Sequence, residues 1–264
     1  MPGGAGPGGA PGTGWAHEYR KGLPGTSGGT MAKEKVVWLR DPKEVRYEPA
    51  RFELLARMRQ EAERVGSALG PGWAVHGSVA RGDVRSTSDI DLVFVGNLRS
   101  YLVELLLQRA GIDWVRREVV LATPNSTPKG HIHLGGEVTV TFPLMAFRPQ
   151  EEGFYRFGGL LPVEGLSGAG RVNGVSKRLL LILPTENGHL ESSIQGREAE
   201  TARLLGVAPE VVAERVRVLA RRDRLGRTGV YLRRELADGE AFEEALKSLA
   251  DRDPVVRRAA RARR

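Results

Sequence analysis

The sequence predicts an α/β chain of mixed order with an antiparallel portion, followed by a mainly helical C-terminal domain. Three observations predict it. Apolar residues recur at helical spacing from Arg51 to Leu69. Apolar and polar residues alternate on both sides of Gly135-Gly136, as in paired strands. Beyond about residue 191 the apolar spacing turns helical again, on either side of a glycine turn.

The elements follow in order. Residues 1–30 are rich in Gly and Pro with hardly any large apolar side chains. They bury too little surface to offset the entropy of ordering, so a disordered tail is expected, with Met31 a second candidate start. Phe52, Leu55, Met58, Ala62, Val65 and Leu69 mark a helix ended by Gly70-Pro71-Gly72. Trp73-Ala74-Val75 reads as a strand, Gly77-Ser78 as a strand-to-helix turn, and Ile90 to Phe94 as a strand that Asp89 and Asp91 open. Tyr101 to Ala110 reads as a second helix closed by Gly111, and Trp114 to Ala122 as a strand. His131 to Leu134 and Glu137 to Phe142 read as a hairpin with a two-residue Gly-Gly turn. Residues 151–175 read as a connecting loop, and Leu179 to Leu183 is too short to classify. Residues 31–150 are thus one domain, 151–190 a linker or extension, and 191–264 a second domain.

In that second domain Ala199, Ala202, Leu205, Val211, Val212, Val216 and Leu219 outline helix, Gly206 turn, helix. Asp223 to Arg234 reads as a short hairpin, the wing of a helix-turn-helix. Arg217, Arg221, Arg222 and Arg227 lie on the second helix and wing and are the candidate nucleic-acid contacts.

The bulk properties bound the partners. A chain of 264 residues, 41% hydrophobic and 27% charged, has the make-up of an ordinary globular protein with one or two cores. No apolar run spans a bilayer, and the N-terminus lacks the layout of a secretory signal. The lack of cysteine rules out disulfides and thiolate metal sites and fits the cytoplasm. A bias to Arg and Glu over Asn and Gln fits a thermophilic source. The net charge of +8 favours anionic partners: a nucleotide, and tRNA, other RNA or DNA.

The segment His76 to Phe94 carries the chemistry. Residues i and i+2 of a strand share a face, so Asp89 and Asp91 point one way while Ile90, Leu92 and Phe94 point into a core. Backbone N–H groups of the Gly77-Ser78 turn suit phosphate. Two carboxylates beside such a turn make a divalent-metal site for a nucleoside triphosphate. Arg81 stands one helical turn beyond Ser78, within reach of phosphate, as does Arg85, and Ser88 positions the loop.

The phrasing Gly77-Ser78-Val79-Ala80-Arg81-Gly82-Asp83 … Ser88-Asp89-Ile90-Asp91-Leu92 resembles the DNA polymerase β-like nucleotidyltransferases, above all the minimal ones. The resemblance is specific over Trp73 to Val95. It implies a small mixed twisted sheet flanked by helices. It also implies Mg²⁺, with two ions possible, at Asp89 and Asp91, and transfer of a nucleoside monophosphate from a triphosphate to an acceptor. RNA suits the charge as acceptor. A protein acceptor, as for antitoxin-like enzymes, suits the motif phrasing.

The family supplies a third carboxylate from a later strand, and here the match departs from the pattern. In Gly136-Glu137-Val138-Thr139-Val140 the threonine stands where the third Asp should be, and Glu137, two residues earlier, is the candidate substitute. A second alignment at Glu118-Val119-Val120-Leu121 makes Glu118 the nearby acid. The missing Asp leaves open a DNA-binding regulator that senses nucleotide with little catalysis. His131 and His133 share a strand face and read as edge-strand surface histidines.

Overall fold

The structure, a computed structural model, describes residues 36–37, 41–96, 98–168, 170–226 and 229–261. It is a mixed α/β arrangement of two sheets and eight helices among these residues. The expected tail over residues 1–30 lies outside them.

The larger sheet has seven strands. They are β2 (Trp73–His76), β3 (Ile90–Phe94), β4 (Trp114–Leu121), β5 (Lys129–Leu134), β6 (Val138–Pro143), β7 (Leu160–Pro162) and β11 (Leu232–Glu235), in the spatial order β11-β4-β5-β6-β3-β2-β7. Only β3 and β6 run parallel; the other neighbours are antiparallel. Period-2 alternation gives this sheet two unlike faces. On one, Trp73, Val75, Ile90, Leu92, Val119, Ile132, Leu134, Val138, Val140 and Phe142 are buried. They pack under α1 (Pro49–Leu69), α3 (Ser100–Arg109) and α7 (Phe242–Arg252), which contribute Leu55, Ala62, Val65, Val103, Leu107, Phe242 and Ala245. The opposite face carries His76, Asp91, Glu118, Lys129, His131, His133, Thr139 and Thr141.

A second sheet, in the order β1-β10-β9-β8, combines β1 (Lys43–Arg46), β8 (Gly174–Val175), β9 (Leu180–Thr185) and β10 (Gly188–Ser193). Val175, Leu179, Leu181 and Ile194 share a core with Phe157 of α4 (Pro149–Gly158), Ala202 of α5 (Glu198–Leu205) and Val211 and Val212 of α6 (Pro209–Leu225). Residues 151–190, expected to be a linker or a domain extension, are built structure. A helix forms there despite Gly153 because that glycine meets α6: a Cβ on it would stand 2.9 Å from Val211 Cγ2.

The C-terminal boundary also differs from expectation. The described residues from 36 to 261 form one compact unit. The two helices around the Gly206 turn are present, but α6 continues to Leu225, where a hairpin was expected. Leu232–Glu235 pairs with β4, Leu232 opposite Leu121, instead of forming a free wing. Phe242 then seals the main core, its ring 5.1 Å from that of Phe142. The partners of this segment are distant in sequence: Leu236 and Phe242 join the core under the large sheet. The last helix, α8 (Pro254–Arg261), packs on α7.

Candidate functional site

The site forms where β2 and β3 end on the polar face of the large sheet. After β2 the chain turns through Gly77, at φ +81°, into α2 (Ser78–Arg81). That φ favours glycine, and nothing lies within 4 Å of where a Cβ would stand, so the turn is open on the outside. Behind it the turn is pinned. The Gly77 N–H donates to Gly159 O at 3.0 Å, and the buried Arg59 of α1 donates to Val79 O at 3.3 Å.

Ser78 Oγ donates to Ser88 Oγ at 3.2 Å, and the Arg85 N–H donates to the same Ser88 oxygen at 3.0 Å. This bond ties the turn to the loop that delivers Asp89 and Asp91. Asp89 is exposed and stands one residue before β3. Asp91 is the second residue of the strand, half-buried, between His76 of β2 and Thr139 of β6 in the register. Burial, and then the negative charge of Asp89, push the Asp91 carboxyl up to about 6, with the Lys177 ammonium acting the other way. Two carboxylates this near each other are a donor set suited to a hard divalent cation, which takes one or two carboxylates and completes its shell with water and substrate phosphate.

Arg81 corrects the sequence reading. It is buried, its guanidinium donating to Gly158 O and pairing with Asp83 at 2.9 Å. Spacing from Ser78 suggested phosphate reach, but the side chain turns inward and braces the turn. Arg85 is exposed. The cation that Asp91 does feel is Lys177, after β8, which the sequence reading passed over; the only signal was its place in a Gly-rich polar loop.

Glu137 is also placed differently. The turn between β5 and β6 takes in Gly135, Gly136 and Glu137, so Glu137 precedes the strand instead of sharing the strand face with Thr139. Its φ is +69°, in the left-handed region, and it is exposed. It still borders the cleft of about 540 Å³ that Asp89, Arg116, His133, Thr139 and Glu235 also line. Among the described residues no group of three or more His, Asp and Glu side chains is disposed to hold a metal ion.

The residue opposite Asp91 on β6 is Thr139. Its Oγ1 lies 3.2 Å from His133 Nδ1, and His133 Nε2 lies 2.8 Å from Glu118 Oε1. Thr141 and His131 repeat the contact one row along at 3.1 Å. The two histidines are thus interior to the sheet, on β5 between β4 and β6, and not at an edge. Burial drives His131 down to about 4 and His76 to about 4. Lys129 on the same face is pushed down to about 8 by burial, its ammonium 5.0 Å from the Tyr155 ring centre and 5.3 Å from that of Phe147. A sheet face so polar, with α4 laid over one end, is a cleft floor and not a core.

The candidate nucleic-acid residues Arg217, Arg221 and Arg222 are exposed on α6. Arg215 on the same helix instead covers Phe154 at 4.7 Å. Arg227 lies outside the described residues. Among the described residues no helix is long and apolar enough to cross a membrane.

Residues 56–136 match the family model of the nucleotidyltransferase domain. The chain therefore carries a nucleotidyltransferase domain over those residues, consistent with the DNA polymerase β-like superfamily. The match takes in the Gly77-Ser78 turn and both aspartates and stops before Thr139. The comparison with curated proteins gave no match.

Proposed function

We propose that this nucleotidyltransferase domain moves a nucleoside monophosphate from a triphosphate to an acceptor, using Mg²⁺ held by Asp89 and Asp91. The observation that carries the reading is the Ser78–Ser88 bond, which brings the open turn and the aspartate pair to one mouth. The raised proton affinity of Asp91 is the second support: the pair is repulsive as it stands and is relieved by a divalent cation. Bound there, Mg²⁺ supplies charge neutralisation to the phosphate oxygens and to the leaving pyrophosphate.

The chain's own groups divide the remaining work. The Gly77-Ser78 turn faces the triphosphate with its backbone, and Lys177 supplies the positive charge that the inward-turned Arg81 does not. Asp89 and Asp91 would hold the cation, whose charge would offset that of the phosphate beside them. Arg217, Arg221 and Arg222 offer α6 to a polyanion, and with the net charge of +8 this favours RNA as acceptor.

The test is to incubate the full chain with each α-labelled triphosphate, Mg²⁺ and a cell extract, then to separate RNA, protein and small molecules. Label in one fraction, absent with Asp91→Asn, supports transfer and names the acceptor class. No label in any fraction refutes it. One observation favours a second reading, a DNA-binding regulator that senses nucleotide: Thr139 stands where a carboxylate would complete the acidic set. Triphosphate binding without transfer to any fraction would select that reading.

A further inference from the structure

We propose that Thr139, His133 and Glu118 form a proton relay that deprotonates an acceptor hydroxyl, replacing the acid that the site lacks. The inference rests on the nucleotidyl-transfer reading and adds its base and the chemical class of its acceptor.

The three residues come from three adjacent strands and meet on the polar face. Glu118 is only 2% exposed, and Arg116 Nε at 3.8 Å and Arg233 Nε at 3.4 Å flank it. As a carboxylate it can only accept, so the His133 Nε2–H donates to it across 2.8 Å. That fixes the tautomer. His133 Nδ1 is left as an acceptor, and the Thr139 hydroxyl, 3.2 Å away, donates to it. Thr139 in turn stands opposite Asp91 on the neighbouring parallel strand, and both Thr139 and His133 line the cleft that Asp89 borders.

The chain of bonds thus runs from a buried carboxylate to a hydroxyl beside the metal-binding pair. The parallel contact of His131 with Thr141 lies one row deeper, where the cleft lining does not reach. The charged groups around the His133 ring are Glu118 and Arg116 of β4, Arg233 of β11 behind Glu118, and Asp89, Glu137 and Glu235 across the cleft. The His131 ring is stacked beside it at 6.2 Å.

The acceptor O–H gives its proton to Thr139 Oγ1 while Thr139 gives its own to His133 Nδ1. The freed electron pair on the acceptor oxygen forms the bond to the α-phosphorus. The bond from that phosphorus to the bridging oxygen breaks, and pyrophosphate leaves with the pair. His133 ends as imidazolium held by Glu118 and returns its proton to water in the cleft. Thr139 touches the acceptor and is the catalytic residue; His133 and Glu118 act through it. A relay of this kind is needed for a hydroxyl acceptor. A carboxylate or phosphate acceptor carries no proton to remove, so the geometry selects ribose, serine, threonine or tyrosine hydroxyls, or water.

The experiment uses the full chain with Mg²⁺, α-labelled ATP, CTP, GTP and UTP, and total tRNA, scoring nucleoside monophosphate released to water alongside. Thr139→Val and His133→Phe are expected to lower kcat by about 100-fold, the range of general base catalysis, with triphosphate KM within about twofold of wild type. Thr139→Ser is expected to restore most of the rate. Glu118→Gln is expected to lower kcat with triphosphate KM within about twofold of wild type, since an amide gives the imidazolium no counter-charge. In ¹⁵N-histidine spectra His133 is expected to carry its proton on Nε2 in the wild type at neutral pH, whether or not substrate is present.

Wild-type kcat and pH profile in Thr139→Val, with transfer lost in Asp91→Asn, would overturn the relay and leave the transfer reading intact. A His133 proton on Nδ1 would overturn it independently of activity. Wild-type protein that binds triphosphate but labels neither tRNA nor the protein and small-molecule fractions of a cell extract, and releases no monophosphate, would overturn both.

Discussion

Asp91→Asn separates the metal-site reading from a merely solvated acid pair through stability rather than activity. The Asp91 carboxyl is raised from 3.8 to about 6 by burial and by Asp89. A carboxyl whose proton affinity is higher in the folded state contributes its full stability below pH 3.8 and loses it as pH rises through about 6. At 1.36 kcal/mol per pH unit, the charged form costs on the order of 2–3 kcal/mol at pH 7.5 in metal-free protein. Asparagine keeps the shape and removes that charge. In EDTA at pH 7.5 the variant is therefore expected to melt above the wild type, by about 4–10 °C for a domain of this size. The advantage should vanish near pH 4. Saturating Mg²⁺ should raise the wild-type midpoint and leave the variant nearly unmoved, because ligand stabilisation follows differential binding to the folded state. Thermal unfolding followed by circular dichroism at pH 4, 6 and 7.5, with and without Mg²⁺, reads all of this. A variant that melts below the wild type in EDTA at pH 7.5, or that gains as much from Mg²⁺, refutes the argument.

Three further outcomes follow from the fold and the charge pattern. Phe242→Ala is expected to destabilise the chain by about 3–5 kcal/mol in urea titrations, in a transition that also reports loss of the Gly77-Ser78 site, since Phe242 is fully buried against Phe142. Independent unfolding of the C-terminal helices would contradict it. Glu137→Gly is expected to raise stability by about 1 kcal/mol in the same titration, by relieving a left-handed backbone that disfavours a side chain. Changing Arg217, Arg221 and Arg222 together to Ala is expected to weaken tRNA binding across sequences and flatten the log–log salt slope by up to about three. Triphosphate binding should remain, as a gel-shift series at several salt concentrations and a nucleotide titration would show.

What was legible in the sequence was whatever local periodicity and short spacing encode. The helix from residue 49 to 69, the strand opened by Asp89 and Asp91, and the paired strands around Gly135 each follow from a pattern within one element. Helix α4 was not legible, because Gly153 lowers helix propensity and its reason for being there, the approach of Val211, is tertiary. Arg81 was misread for a related reason. Spacing places a guanidinium one turn from Ser78 but cannot show that the carbonyl of Gly158, 77 residues on, has claimed it. Glu137 was misread because the turn takes three residues instead of two: with φ at +69° Glu137 falls outside the strand, while Thr139 and Thr141 keep the face their alternation gives them.

The third acid is the instructive case. In the sequence two acids, Glu137 and Glu118, compete for the place of the third carboxylate, on two alignments of one motif. In space they are not alternatives. Thr139 occupies the place opposite Asp91, and Glu118 stands two strands further out, joined to Thr139 through His133. The signals were present in one dimension: Glu118 heads a run of Val119, Val120 and Leu121, and His131 and His133 alternate with Ile132 and Leu134. An acid at the edge of an apolar run and histidines on the polar side of a buried strand both cost desolvation unless something pairs them. What the sequence could not supply was the strand order β4-β5-β6-β3, which makes the pairing partners each other and sets the last of them opposite Asp91. A threonine in the third position reads as decay in one dimension. With this register it reads as the exposed end of a buried charge.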